Sequence, residues 1–173
     1  MADLFVDECL EVLTRTPDAI RALLNGLPDR WVRESEAPGC WSPYVVIGHL
    51  LHCEKVDWMP RLGIILEHGV AKTFEPFDRE AQFAEPERSL AVVLDEWVAL
   101  RSANLARLRA MDLQTSQLEA EGMHPGLGRV TLRQLLATWT AHDLAHLLQI
   151  SRTMAKRLKS DVGPWAEYLS VMK

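Results

Sequence analysis

Long apolar runs, basic tracts and paired cysteines are all missing from these 173 residues. The longest apolar runs are a few residues, against the roughly 20 a bilayer-spanning helix needs, so no membrane partner is expected. Lys and Arg form no cluster and the formal net charge is -5. That disfavours nucleic acid or an anionic membrane surface as a partner. Cysteine is sparse, and Cys9, Cys40 and Cys53 are odd in number and widely scattered. This argues against a disulfide framework and for a reducing compartment. The opening Met1-Ala-Asp-Leu-Phe-Val-Asp-Glu is acidic and lacks the basic start of a secretory signal. A cytoplasmic protein is expected. There is no internal repeat, no low-complexity stretch and no run of alternating strands.

What is present is an ordinary globular composition, 48% hydrophobic and 25% charged, long enough for one domain over residues 1–173 with a full core. Four helical segments stand out. The first covers about residues 3–25. Thr16-Pro17 within it reads as an N-cap followed by Pro at a first helical position, and it ends near Asn25-Gly26. The second starts at the cap-then-proline pair Ser42-Pro43 and runs to about Glu67, with Pro60 expected to kink or restart it. The third covers about 88–111, with Leu90, Val93, Leu94, Trp97, Leu100, Leu105 and Leu108 as its apolar stripe. The fourth, 131–159, contains neither Gly nor Pro. Residues 69–87 read as a long loop, and the turn-rich 114–130 as a short hairpin or an ordered loop. The tail from Val162 carries Trp165, Tyr168 and Leu169, apolar groups that need cover. Four helices joined by long loops predict an all-α four-helix bundle, a fold that places metal sites on facing helices.

The fourth helix carries Trp139-Thr-Ala-His142-Asp143-Leu-Ala-His146. A spacing of four puts both imidazoles on one helix face, about 5–6 Å apart at Cβ, which suits two ligands of one divalent metal. His146 shares the buried stripe of Leu132, Leu135, Trp139 and Ile150, and His142 lies towards its edge. Taken singly, each would read as a hydrogen-bonded core histidine. The pair reads as metal ligands, because buried imidazoles need partners for both nitrogens. A third ligand must come from elsewhere. The second helix offers His49 and His52, and geometry does not choose between them. His124, just before the fourth helix, could overhang the site, whereas His68 reads as exposed. The His-Asp-x-x-His string is not a zincin motif: that chemistry uses Glu at the second position, and Gly163-Pro164 interrupts any helix towards Glu167.

Two longer stretches carry a family resemblance. Trp41-Ser42-Pro43-Tyr-Val-Val-Ile-Gly-His49-Leu50-Leu-His-Cys-Glu54 is similar to the W-S-x(5-6)-H-L-x-x-x-E signature of the DinB-like superfamily. The segment from Gly122 through Thr131, His142, His146 and Ile150 resembles that family's last helix and its lead-in, and the Gly163-Pro164-Trp165 tail also looks like family members. The resemblance spans essentially the whole chain. It implies a four-helix bundle, often a homodimer, with one histidine of the second helix and the H-x-x-x-H pair of the fourth holding a divalent metal, zinc or nickel. Carried over by position, the ligands are His49, His142 and His146.

The family includes transferases and isomerases that use mycothiol, bacillithiol or glutathione, so a low-molecular-weight thiol joins the small-molecule substrate among the implied partners. Three nitrogen ligands leave a coordination position open, the layout of a catalytic site. A water there has its pKa lowered, leading to hydrolysis; a thiolate there stays nucleophilic, leading to S-transfer. Asp143 is the candidate for a general base, or for an acceptor that orients a ligand imidazole. Glu54 is expected in a salt bridge or at the surface, and Cys53 as an inert buried thiol. Trp41, Trp139, Trp165 and Tyr168 read as pocket walls or as core. The leading expectation is therefore a metal-dependent thiol S-transferase or small-molecule hydrolase. The alternative is a non-catalytic, stress-associated homodimer with a structural metal.

Overall fold

The computed structural model describes residues 4–173, so Asp3, the expected first helical residue, and the start of the acidic N-terminus lie outside it. In chain order the helices are α1 (Leu4–Leu24), α2 (Asp29–Val32), α3 (Pro43–Val56), α4 (Trp58–His68), α5 (Ala81–Ala84), α6 (Leu90–Ala110), α7 (Thr115–Leu118), α8 (Leu132–Lys156) and α9 (Lys159–Val162). Two short strands, β1 (Glu121–His124) and β2 (Gly128–Thr131), form an antiparallel hairpin before α8. The long helices α1, α3, α6 and α8 make the bundle. Each of α1 and α3 packs on both α6 and α8, so α1 faces α3 and α6 faces α8 across the diagonals.

Local chemistry sets the boundaries. The Ser42 hydroxyl accepts from Val45 N at 3.3 Å, and Pro43 fills the first position of α3, where no backbone donor is needed. At α8, Thr131 and Gln134 form a reciprocal capping box: Thr131 Oγ1 accepts from Gln134 N, and Gln134 Oε1 accepts from Thr131 N. The second predicted helix is two. Asp57 breaks it, and Pro60 sits in the first turn of α4, where its missing N–H costs little. Residues 69–87 contain only single helical turns, and Phe74 N donates to Met123 O, tying this loop to β1.

The reading of Thr16-Pro17 as a helix start is corrected: α1 runs unbroken through Pro17. Proline lacks the N–H that would bond the carbonyl four residues back, that of Leu13. Arg101 Nη1 fills the place, donating to Leu13 O at 3.0 Å. The Thr16 hydroxyl, instead of capping, donates to Asp143 Oδ2 at 2.5 Å. A proline that would otherwise cost ~3 kcal/mol or more in a helix interior is thereby built into a tertiary contact.

Arg101 is the centre of that contact. It interrupts the apolar stripe of α6 and is fully buried, as are Glu54 of α3 and Asp143 of α8. Its guanidinium reaches Glu54 Oε1 from Nε at 2.8 Å, and Asp143 from Nη1 at 2.6 Å and Nη2 at 3.0 Å. Asn104 Nδ2 and Trp139 Nε1 donate to the remaining lone pairs of Glu54. This polar layer splits the interior into two apolar clusters. One is built on Leu10, Leu13, Trp58, Leu62, Leu108 and Trp139; the other on Ile20, Ile47, Leu50, Trp97 and Ile150. The expectation of cover for the tail is not met, since Trp165 and Tyr168 are exposed.

Removing one partner of a buried ion cluster leaves the others uncompensated, a loss of about 3–5 kcal/mol. Arg101→Met should therefore lower the urea midpoint by that much stability at unchanged slope. A loss below about 1 kcal/mol, the usual worth of an exposed pair, would show that the layer does not hold the helices together.

Candidate metal centre

Where α3 meets α8, three imidazoles converge. His142 Nε2 lies 3.1 Å from His49 Nε2 and 3.1 Å from His146 Nε2. His49 is buried, and the other two are half-buried. Rings around them fix their planes: Trp58 meets His142 edge to face at 5.2 Å, Phe77 meets His49 likewise at 5.6 Å, and Trp41 stacks on His146 at 6.4 Å. Only His146 has its far nitrogen held, Nδ1 lying 2.8 Å from Gln149 Oε1. The Nδ1 atoms of His49 and His142 are buried without a hydrogen-bond partner.

Hydrogen bonding alone does not satisfy this cluster. If His146 donates from Nδ1 to Gln149, its Nε2 is a bare acceptor. His142 Nε2 can donate one proton or offer one lone pair, so only one of its two short approaches is a hydrogen bond. Where His142 accepts from His49, its approach to His146 sets lone pair against lone pair; where it donates to His146, one proton is shared between two acceptors. A divalent cation would accept all three. Burial, its largest cause, with charge repulsion among the rings, lowers His49 and His142 to about 3, and burial lowers His146 as well. Neutral imidazoles with free lone pairs are what a metal requires. The donor set fits a divalent ion.

The structure thus brings together His49, His142 and His146. His52 stays out, its ring packed on Phe77 at 5.2 Å. His124 lies across the cavity on the hairpin, but its Nδ1 accepts from Gly126 N and Leu127 N at 3.1 Å each and is spent on the turn. Asp143 does not face the imidazoles. Both its oxygens are taken up by Arg101 and Thr16, which leaves it no reach as a base or as an acceptor for a ligand ring. Glu54 makes the expected salt bridge, at 2.7 Å to Arg101 Nη2, but in the deepest interior rather than at the surface. Cys53, expected to be inert, has its Sγ 3.6 Å from His49 Nε2. His49, Cys53 and His142 offer ligand atoms all within 4.8 Å of one another. Burial pushes the free Cys53 thiol well up.

The imidazoles form the floor of a cavity of about 730 Å³. Trp41, Trp58, Phe74 and Phe77 give it apolar walls, while Arg61 and Arg79 add positive charge. Trp139 belongs to the core, and Trp165 and Tyr168 are not among the lining groups. Arg61 is paired with Asp57 at 2.6 Å. Trp41, a wall candidate from its sequence, precedes α3; the other wall residues come from the break between α3 and α4 and from the 69–87 loop, where the sequence has no periodicity to mark them. Gly122 holds the hairpin close: a Cβ there would stand 2.7 Å from Ile65 Cγ1 and 2.9 Å from Phe74 Cζ.

A sequence model of the DinB superfamily matches residues 13–150, and the chain belongs to that superfamily. The fold is also that of YfiT from Bacillus subtilis, described as a probable metal-dependent hydrolase with an unusual four-helix bundle topology. The two share 20% sequence identity and a TM-score of 0.77, over 92% of this chain and 90% of that one. No curated protein matches the chain. Among the described residues no helix is long and apolar enough to cross a membrane.

The depressed histidines carry a pH signature. Unfolded, they take up protons near pH 6.5; folded, His49 and His142 resist until about 3. Their contribution to stability is therefore complete above pH 6.5 and is lost as pH falls towards 3. Urea titrations of metal-free protein should show stability declining from pH 6.5 to 4.5, above the range of ordinary carboxylates. The decline should flatten in a His49→Gln/His142→Gln variant; an equal slope in the variant would show that these rings are not held neutral.

Proposed function

We propose that the chain is a metal-dependent enzyme acting on a small molecule, as a hydrolase or a thiol S-transferase, with His49, His142 and His146 holding the ion. The observation that carries this is the convergence of three neutral imidazole nitrogens at the floor of a large, aromatic-walled cavity. A divalent ion bound there would supply Lewis acidity and keep a water or thiol nucleophile deprotonated near neutral pH.

The chain's own residues divide the remaining work. Gln149 fixes the tautomer of His146. Trp41, Trp58 and Phe77 exclude water from the floor and offer ring faces to an apolar substrate body. Arg79 at the wall favours a substrate with an anionic group. Asp143 positions α8 through Arg101 and exchanges no proton with substrate. The open cavity above the imidazoles favours an enzyme over a purely structural metal site.

Elemental analysis of tag-free protein tests the reading. Wild type should hold about one zinc or nickel per chain, whereas His49→Ala/His142→Ala should hold none yet keep its helical circular dichroism. Metal-loaded wild type should then turn over members of an ester, amide and electrophile-plus-thiol panel. Wild type that takes up no metal after incubation with zinc and nickel would overturn the assignment.

We also propose a homodimer. Leu144 and Leu148, one turn apart on α8, are 48% and 61% exposed, and Trp165 and Tyr168 of the tail are 72% and 80% exposed. An exposed apolar pair one turn apart on a helix face marks a candidate interface. Sedimentation should give twice the chain mass at micromolar concentration, and Leu148→Glu should return it to monomer; wild type sedimenting as a monomer would end the proposal.

A further inference from the structure

The three-histidine arrangement leaves one feature of this chain unused. Cys53 follows His49 by four residues on α3, as His146 follows His142 by four on α8. Each helix therefore presents two donors on one face, one turn apart, and the faces meet. Ordinary zinc bond lengths, about 2.0–2.1 Å to nitrogen and 2.3 Å to sulfur, set the edges of a tetrahedron at about 3.4 Å between nitrogens and about 3.6 Å between nitrogen and sulfur. Two of the three nitrogen edges here, His49 to His142 and His142 to His146, are 3.1 Å, one sulfur edge, Cys53 to His49, is 3.6 Å, and the ligand atoms of His49, Cys53 and His142 all lie within 4.8 Å of one another.

Charge points the same way. Three neutral imidazoles offset none of a divalent ion's charge, and a buried uncompensated charge is costly. Asp143 is committed to Arg101, and Asp57 to Arg61. Within the His49–Cys53–His142 group, Cys53 is the one side chain able to carry negative charge.

Resting on the metal reading above, we propose that Cys53 is the fourth protein ligand, its thiolate completing a tetrahedral site of three nitrogens and one sulfur. On binding, the Cys53 S–H bond breaks, its proton passes to solvent, and the sulfur lone pair forms the bond to the ion. One formal positive charge then remains at the centre. A thiolate selects thiophilic ions such as zinc and cobalt over magnesium and manganese. With Cys53 and the three histidines all holding the ion, a substrate would need either a further position or the place of the sulfur.

Cobalt(II) distinguishes this from a plain S–H···N hydrogen bond, because a cobalt–thiolate bond gives an intense near-ultraviolet charge-transfer absorption that imidazole ligands do not. Reduced wild-type protein loaded with cobalt should show that band, together with the visible bands of a tetrahedral ion. Cys40→Ala, which removes an exposed thiol, should keep both. Cys53→Ser should lose the near-ultraviolet band while binding about one cobalt, and its zinc Kd should rise roughly a hundredfold or more, at or beyond what losing an outer-shell partner costs. Zinc-edge X-ray absorption on wild type reads the same bond without a variant, as a sulfur shell near 2.3 Å beside the nitrogens. Cobalt bound without the band, or a nitrogen-only zinc shell, would overturn the role of Cys53 and leave the three-histidine reading standing. A band and affinity unchanged in Cys53→Ser would do the same. No cobalt or zinc bound by wild type would overturn both.

Discussion

Every long helix of this bundle is tied to one guanidinium. Arg101 enters from α6 and reaches α1 through the Leu13 carbonyl and Thr16, α3 through Glu54, and α8 through Asp143. All of its donor nitrogens are engaged, which is the condition under which a buried charge is tolerable. Apolar packing alone allows helices to slide and rotate at modest cost, whereas five N–H vectors in a rigid plane do not. The two apolar clusters supply most of the burial energy; the layer between them sets the register. Pro17 belongs to this logic, because the i to i−4 bond it cannot make leaves the Leu13 carbonyl open to Arg101.

The register matters because the ligands stand beside the layer. His142 precedes Asp143, His49 lies five residues before Glu54, and Cys53 adjoins it. A slide of α8 against α3 by one residue, about 1.5 Å, would exceed the tolerance of a tetrahedral site, where distances must hold to about 0.2 Å. The Nδ1 atoms of His49 and His142 have no hydrogen-bond partner to orient them. Their placement instead comes from ring packing and from helices locked by the charged layer. The usual arrangement, in which a carboxylate grips the far side of a ligand imidazole, is here moved one level down: the carboxylates grip the helices.

Much of this was legible in the sequence. The Ser42-Pro43 start, the turn-rich segment before α8, the uninterrupted fourth helix and the pairing of His142 with His146 follow from capping chemistry, turn residues and helical spacing, whereas the choice of His49 over His52 as their partner comes from the family resemblance. What escaped did so for physical reasons. Arg101 stands at a stripe position of α6, where a charge reads as an edge residue unless its partners on three other helices are known. Thr16-Pro17 carries the local signal of a helix start, and a tertiary hydrogen bond overrides it. Asp143 lies beside an apparent ligand, which suggests chemistry, yet it is consumed by Arg101; Glu54 makes the expected salt bridge, but to a partner in the deep interior. Cys53 was masked differently. Its spacing from His49 is as regular as that of the histidine pair, but a lone buried cysteine ordinarily signals packing. The cavity walls carry no periodicity at all, since Arg61, Phe74, Phe77 and Arg79 are assembled by a helix break and a loop.

The charged layer also bears on what the site can hold. One guanidinium set against two carboxylates leaves one formal negative charge in the interior, directly beneath a cluster of neutral imidazoles. A protein interior rarely carries such an excess without a use for it. The fields reach the rings: the charge of Asp143 favours protonation of His146, while that of Arg101 opposes it at His142. A divalent cation seated among the three imidazoles would meet that negative charge at short range, and a thiolate from Cys53 would offset a further unit of the ion's charge. This couples the layer that sets the fold to the ion that would do the chemistry: the same two carboxylates that fix helix register also prepare the interior for positive charge.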